Sequence, residues 1–187
     1  MRNGSLWKTE SLLAQAAAWR LASLLVERPR PPWRNALAQL SPDVREAQLA
    51  ACIAYADQAS EEFYHELFDP GGMISPREVS YCAFDDPEEV MAELEFFYRA
   101  FSFQPQREDP IDHISVEADF VGYLFLKEAY ARLSGNSETI GITKDARKRF
   151  AKGHLSRCAR GMIDRPADMP LYIKHALSWL AEKGAAL

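Results

Sequence analysis

The chain has 187 residues, of which 48% are hydrophobic and 11% aromatic, with only nine glycines. This balance excludes a disordered or fibrous protein and fits one helical domain able to bury its own core. Its 22 basic against 27 acidic residues leave a net charge of −5, the wrong sign for neutralising a phosphate backbone, so nucleic acid is excluded as a general partner and a basic partner fits better.

From Ser5 to Glu27 the residues Leu12, Leu13, Ala16, Trp19, Leu21, Leu24 and Leu25 recur at helical spacing until Pro29, Pro31 and Pro32 stop the run. Lys8, Glu10, Gln15 and Arg20 interrupt this stretch, so it does not read as an export signal. No other segment approaches the roughly 18 uninterrupted apolar residues of a membrane span. Cys52, Cys82 and Cys158 form no C-x-x-C pair, which favours a reducing compartment. The expected location is the cytoplasm, without stable membrane insertion.

A short second helix is predicted over Trp33 to Leu40. Ser41-Pro42 then reads as an N-cap followed by proline, opening a long third helix through Ala51, Tyr55 and Phe63 to Phe68. Asp69-Pro70-Gly71-Gly72 ends it, and residues 69–86, with Pro76 inside, read as a long ordered loop. Asp86-Pro87-Glu88-Glu89 starts a helix carrying Val90, Leu94, Phe97, Tyr98 and Phe101. Residues 103–112 follow as a proline hinge between two helical lobes, because Pro110 cannot continue a helix and biases Asp109 towards extended backbone.

Asp112 is predicted to cap the next helix, which reaches Leu133 and is apolar on more than one side (Ile114, Val116, Phe120, Val121, Leu124, Phe125, Leu126), the pattern of a bundle's buried centre. His113 would sit in its first turn, where the helix dipole keeps the imidazole neutral, with Glu117 four residues on and within reach. Ser134-Gly135-Asn136-Ser137 breaks the run, Thr143 is predicted to cap a sixth helix to Met162, basic in its early turns, and Met169 to Lys183 forms the last. With neither strand alternation nor an internal repeat, the fold class is all-α, a single-domain bundle of about six or seven helices over residues 1–187.

Candidate chemistry is sparse. None of His65, His113, His154 and His175 stands in an H-E-x-x-H spacing, and His154 with Cys158 supplies only two of a zinc site's ligands, so no metal or other cofactor is expected. There is no G-x-S-x-G, Walker loop or G-x-G-x-x-G, and Gly71-Gly72 reads as a helix stop. Asp112 beside His113 is either a cap with an incidental histidine or an acid-base pair that lacks a nucleophile. The acids Asp85, Asp86, Glu88, Glu89, Glu93 and Glu95 complement a helix dipole or dock a basic peptide. The aromatics Phe96, Phe97, Tyr98, Phe101 and Phe103 pack a core or line a groove for an apolar segment.

Four stretches, in order, carry a resemblance: Tyr64-His65-Glu66-Leu67-Phe68, Pro76-Arg77-Glu78-Val79-Ser80-Tyr81, Tyr98-Arg99-Ala100-Phe101, and Pro110-Ile111-Asp112-His113-Ile114 with Glu117 after it. In these the chain resembles the TorD/DmsD/NarJ-type chaperones, redox enzyme maturation proteins that mature molybdenum-containing oxidoreductases, and it matches their P-x-D-H hinge motif in full. Ser102 stands where that family commonly has glycine, and Asp109 where it often has glutamate.

The resemblance implies an all-helical fold and no enzymatic activity. It implies binding of the twin-arginine signal peptide of a molybdenum oxidoreductase catalytic subunit, which would be held in the cytoplasm during cofactor insertion. Carried over by position, Asp112, His113 and Pro110 would meet the peptide at the hinge, Tyr81 and Arg77 would help from the loop, and Glu117, Phe97 and Tyr98 would complete the site. Transient binding of a nucleotide or the molybdenum cofactor stays open, as does the choice between a monomer and a homodimer that swaps lobes across the hinge. Two other readings remain at this stage: a small helical enzyme using His113 with Asp112 or Glu117 as acid and base, and a helical regulator that binds proteins through the same groove.

Overall fold

Apolar residues at spacings of three and four fold here into helices alone: among the described residues there is no strand, only one isolated antiparallel bridge between Arg77 and His113. The computed structural model describes residues 2–82, 86–105 and 109–187, with the backbone alone for residues 2–5. The helices are α1 (Arg2–Leu25), α2 (Trp33–Leu40), α3 (Ala47–Tyr55), α4 (Glu61–Phe68), α5 (Pro87–Ala100), α6 (Ile114–Leu133), α7 (Ser137–Phe150), α8 (Ser156–Ile163) and α9 (Leu171–Ala186). None of the helices among the described residues is long and apolar enough to cross a membrane.

The predicted buried centre is α6, whose residues from Ile114 to Ala131 are covered on several sides. Along it α1 runs in the opposite direction, with Ser23 Oγ donating to Ser115 O at 2.8 Å and Gly122 at the crossing. A Cβ on Gly122 would lie 3.3 Å from both Ala16 O and Trp19 Cβ, so the missing side chain is what lets the two backbones approach. Helix α9 also packs on α1, with Trp179 set edge-on to Trp19 at 4.7 Å between ring centroids. Between α6 and α7, Arg147 Nη1 donates to Glu128 Oε2 at 2.7 Å, and Arg132 holds the other oxygen at 2.8 Å. Burial alone would raise the Glu128 pKa, but the two guanidinium groups hold it below its ordinary value.

Four expectations need correction. The long third helix is two, α3 and α4, separated by a 3-10 turn at Ala56–Gln58 and entered through another at Ser41–Asp43. No proline or glycine marks the second break. It is stabilised from elsewhere: Arg34 Nη2 donates to Asp57 O at 3.0 Å and Ala59 O at 3.1 Å, and Ser60 Oγ accepts from Phe63 N to start α4.

The cap of α6 is His113 rather than Asp112, and the cap of α7 is Asn136 rather than Thr143, which is buried in mid-helix. The predicted sixth helix is also divided, since a π turn over Ala151–Leu155 separates α7 from α8. The long loop after Phe68 contains a 3-10 turn at Glu78–Tyr81.

Candidate functional site

The hinge region is built by two distant stretches that hold each other. After α4, Asp69 O accepts from Gly72 N at 2.7 Å and Leu67 O from Ile74 N at 2.9 Å, which turns the chain back. Gly72 has no room for a side chain, because a Cβ would lie 2.7 Å from Leu67 O. The following strap, residues 75–78, lies against the start of α6: Glu78 N donates to Asp112 O and Ile114 N donates to Pro76 O, each at 2.9 Å.

Fully buried Asp112 accepts from Arg77 Nε at 2.9 and 3.2 Å, so the aspartate that looked like a cap instead turns inward to neutralise the strap's arginine. Capping passes to the next residue. His113 Nδ1 accepts from Ser115 N at 3.2 Å and meets Ser115 Oγ at 2.7 Å, while Nε2 lies 3.0 Å from the Tyr64 hydroxyl of α4. This network assigns the proton to Nε2, which then donates to the tyrosine oxygen. Burial lowers the His113 pKa below its ordinary value against the opposing pull of Asp109 and Asp112, so the ring is neutral.

Part of this network faces a cleft of about 570 Å³. His113, Arg77 and Pro110 line it, with Tyr64, Phe68 and Ile74 as its apolar wall and Asp69 and Asp109 at its edge. Its three arginines are all engaged: Arg77 by Asp112, Arg28 by Glu61 at 3.2 Å, and Arg30 by a further contact. Asp69 accepts from His65 at 2.6 Å if the ring carries its proton on that side. Asp109 has no partner among the described residues.

The other expected site residues lie elsewhere. Tyr98 is buried behind the hinge, its hydroxyl donating to Ile111 O at 2.9 Å and its ring 4.8 Å from Phe120. Phe97 is buried against Phe150 at 5.3 Å. Tyr81 donates to Ser75 O at 2.6 Å and lies against Gly161, next to a different concavity.

Glu117 is fully buried, and neither of its carboxyl oxygens has a hydrogen-bond partner among the described residues, so it does not pair with His113. His154 is buried with Nδ1 3.0 Å from Glu78 Oε2. Of the acidic run, Asp85 lies outside the described residues, Asp86 caps α5, and Glu89 and Glu93 border a groove against α7 rather than the cleft. Residues 106–108 of the hinge also lie outside the described residues.

Reading the sequence missed Tyr64, Arg28, Arg30 and Asp69 as cleft residues. Tyr64 stood in a quoted motif, but only the folded chain shows its hydroxyl on the histidine.

A model of the family described as nitrate reductase delta subunit matches residues 37–163, which excludes α1 and α9. No curated protein and no solved structure gives a significant match.

Proposed function

Because the chain belongs to the nitrate reductase delta subunit family, whose members are molybdoenzyme maturation chaperones and not catalysts, we propose that its hinge cleft captures the twin-arginine leader of a molybdoenzyme catalytic subunit in the cytoplasm, before export. The observation that carries this reading is the cleft wall itself. Apolar Tyr64, Phe68, Ile74 and Pro110 stand beside Asp109, an acid without a partner among the described residues, while every lining arginine is already engaged. A leader is basic at one end and apolar in its middle. Apolar burial would supply affinity, and Asp109 would orient the guanidinium groups.

His113 offers the peptide a neutral ring of fixed tautomer, held by Ser115 at Nδ1, and Asp112 keeps Arg77 from repelling the leader. Capture of this kind proceeds without bond making, and so without a cofactor or nucleophile.

In titration calorimetry with a twin-arginine leader peptide, Asp109→Asn should weaken binding by about tenfold and His113→Ala by a smaller factor, both leaving the circular dichroism unchanged. Wild-type affinity in both variants would remove the peptide from this cleft.

A further inference from the structure

In a chain of net charge −5, the face formed by α7, the π turn and α8 is strongly basic. Two concavities of about 690 and 780 Å³ lie side by side there, sharing Lys152 and Arg157 and bordered also by Lys148, Arg149, Arg160 and Arg165. Among the described residues, the only acids on their rims are Glu89, Glu93 and Asp164. Arg157 is held by buried Glu78 at 2.7 Å, and Arg149 and Arg165 lie over the rings of Phe97 and Tyr81. Lys148, Lys152 and Arg160 are exposed and have no partner among the described residues.

The arrangement is linear. Lys148, Lys152 and Arg160 stand at intervals of four and then eight, with Ser156 buried between the last two and donating to Ala181 O, a row that in an uninterrupted α-helix drifts around the axis because about 3.6 residues make a turn. The π turn lies between Lys148 and Arg160, and its wider turn counteracts that drift and keeps the three cations on one face. Four helical residues advance about 6 Å. Two residues of extended chain advance about 6.6 Å, with both side chains on the same side. Cations one and then two such steps apart match carboxylates two and then four positions apart in an extended segment, whereas a compact anion needs donors that converge on one point.

We propose that this basic face is a docking surface for an extended acidic peptide segment with carboxylates at every second residue. It is separate from the hinge cleft and touches it only at Ser80. The surrounding concavities admit the small residues between the acids.

The test uses the full chain and two fluorescein-labelled octapeptides of the same composition, one alternating glutamate with glycine and one with its glutamates in a block. In fluorescence anisotropy the alternating peptide should bind several-fold more tightly. Its affinity should fall as ionic strength rises from about 0.01 to about 0.15 M, over which the screening length shrinks from about 30 to about 8 Å. The double variant Lys152→Glu/Arg160→Glu should weaken it at least about tenfold, and Lys152→Arg should retain it. These exposed side chains hold nothing in the core, so leader binding in the same variants serves as the folding control. The proposal is overturned if the double reversal leaves the titration unchanged, if the two peptides bind alike, or if inorganic pyrophosphate binds this face more tightly than the alternating peptide does.

Discussion

Glu117 sits on the first turns of α6 with both carboxyl oxygens unpartnered among the described residues, and burial, reinforced by Glu78 and Asp112 nearby, lifts its pKa well above the ordinary 4.5. The folded protein therefore keeps this proton over a range of pH in which the unfolded chain has released it. The resulting contribution to stability is complete below 4.5 and is lost as pH rises through the folded-state value. Glu117→Gln removes that dependence. Urea midpoints taken at about pH 5 and about pH 8 should show the variant gaining on wild type at the higher pH; an equal difference at both would mean that Glu117 is ionised in the fold. The sequence placed Glu117 on the histidine's face through their spacing of four, but spacing within one helix says nothing about competitors from another. His113 precedes the helix, and Tyr64 and Ser115 occupy its two nitrogens. Its neutrality was legible from its place at a helix start, whereas the burial that reinforces it was not.

At the level of elements, α5 and α6 end in the same way. Ser102 N donates to Arg99 O at 3.1 Å and Phe103 N to Tyr98 O at 2.8 Å, with the Tyr98 and Phe103 rings 5.2 Å apart, which is a Schellman motif with its accompanying apolar contact. Gly135 and Asn136 repeat these bonds after α6. The motif needs a left-handed residue, supplied by Gly135 at φ 69° but by Ser102 at φ 54°, where a Cβ is strained. Ser102→Gly should therefore stabilise the protein by about 0.5–1 kcal/mol in chemical denaturation; a loss of stability would show that the serine side chain earns its place. Where start and stop signals are local, as at Asp86-Pro87 and at Pro29, helix ends were legible. The break between α3 and α4 was not, because Arg34 supplies the donors for its free carbonyls from another helix. Asp112 misled for a related reason: its sequence fits a cap, but Arg77, distant in the chain, draws it inward.

Across the whole molecule, the all-α class and the central place of α6 could be read from its apolar residues, while the assembly around it depends on contacts no periodicity encodes. The tightest is the α1–α6 crossing at Gly122. A single methyl there already meets atoms at 3.3 Å, so Gly122→Val should force the helices apart and destabilise the fold by about 1–3 kcal/mol, seen as a lower melting temperature. An unchanged melting temperature would mean that the crossing is looser than its geometry. This crossing joins a helix outside the matched family range to the one that His113 caps. The hydrogen bond between His113 and Tyr64 has a different consequence. A guest that accepts the Nε2 proton must first displace the tyrosine oxygen, so its gain is only the difference between two similar bonds. Recognition at that atom is a trade of partners: it discriminates by geometry, adds little to residence time, and announces occupancy inside the protein as a released tyrosine hydroxyl on α4.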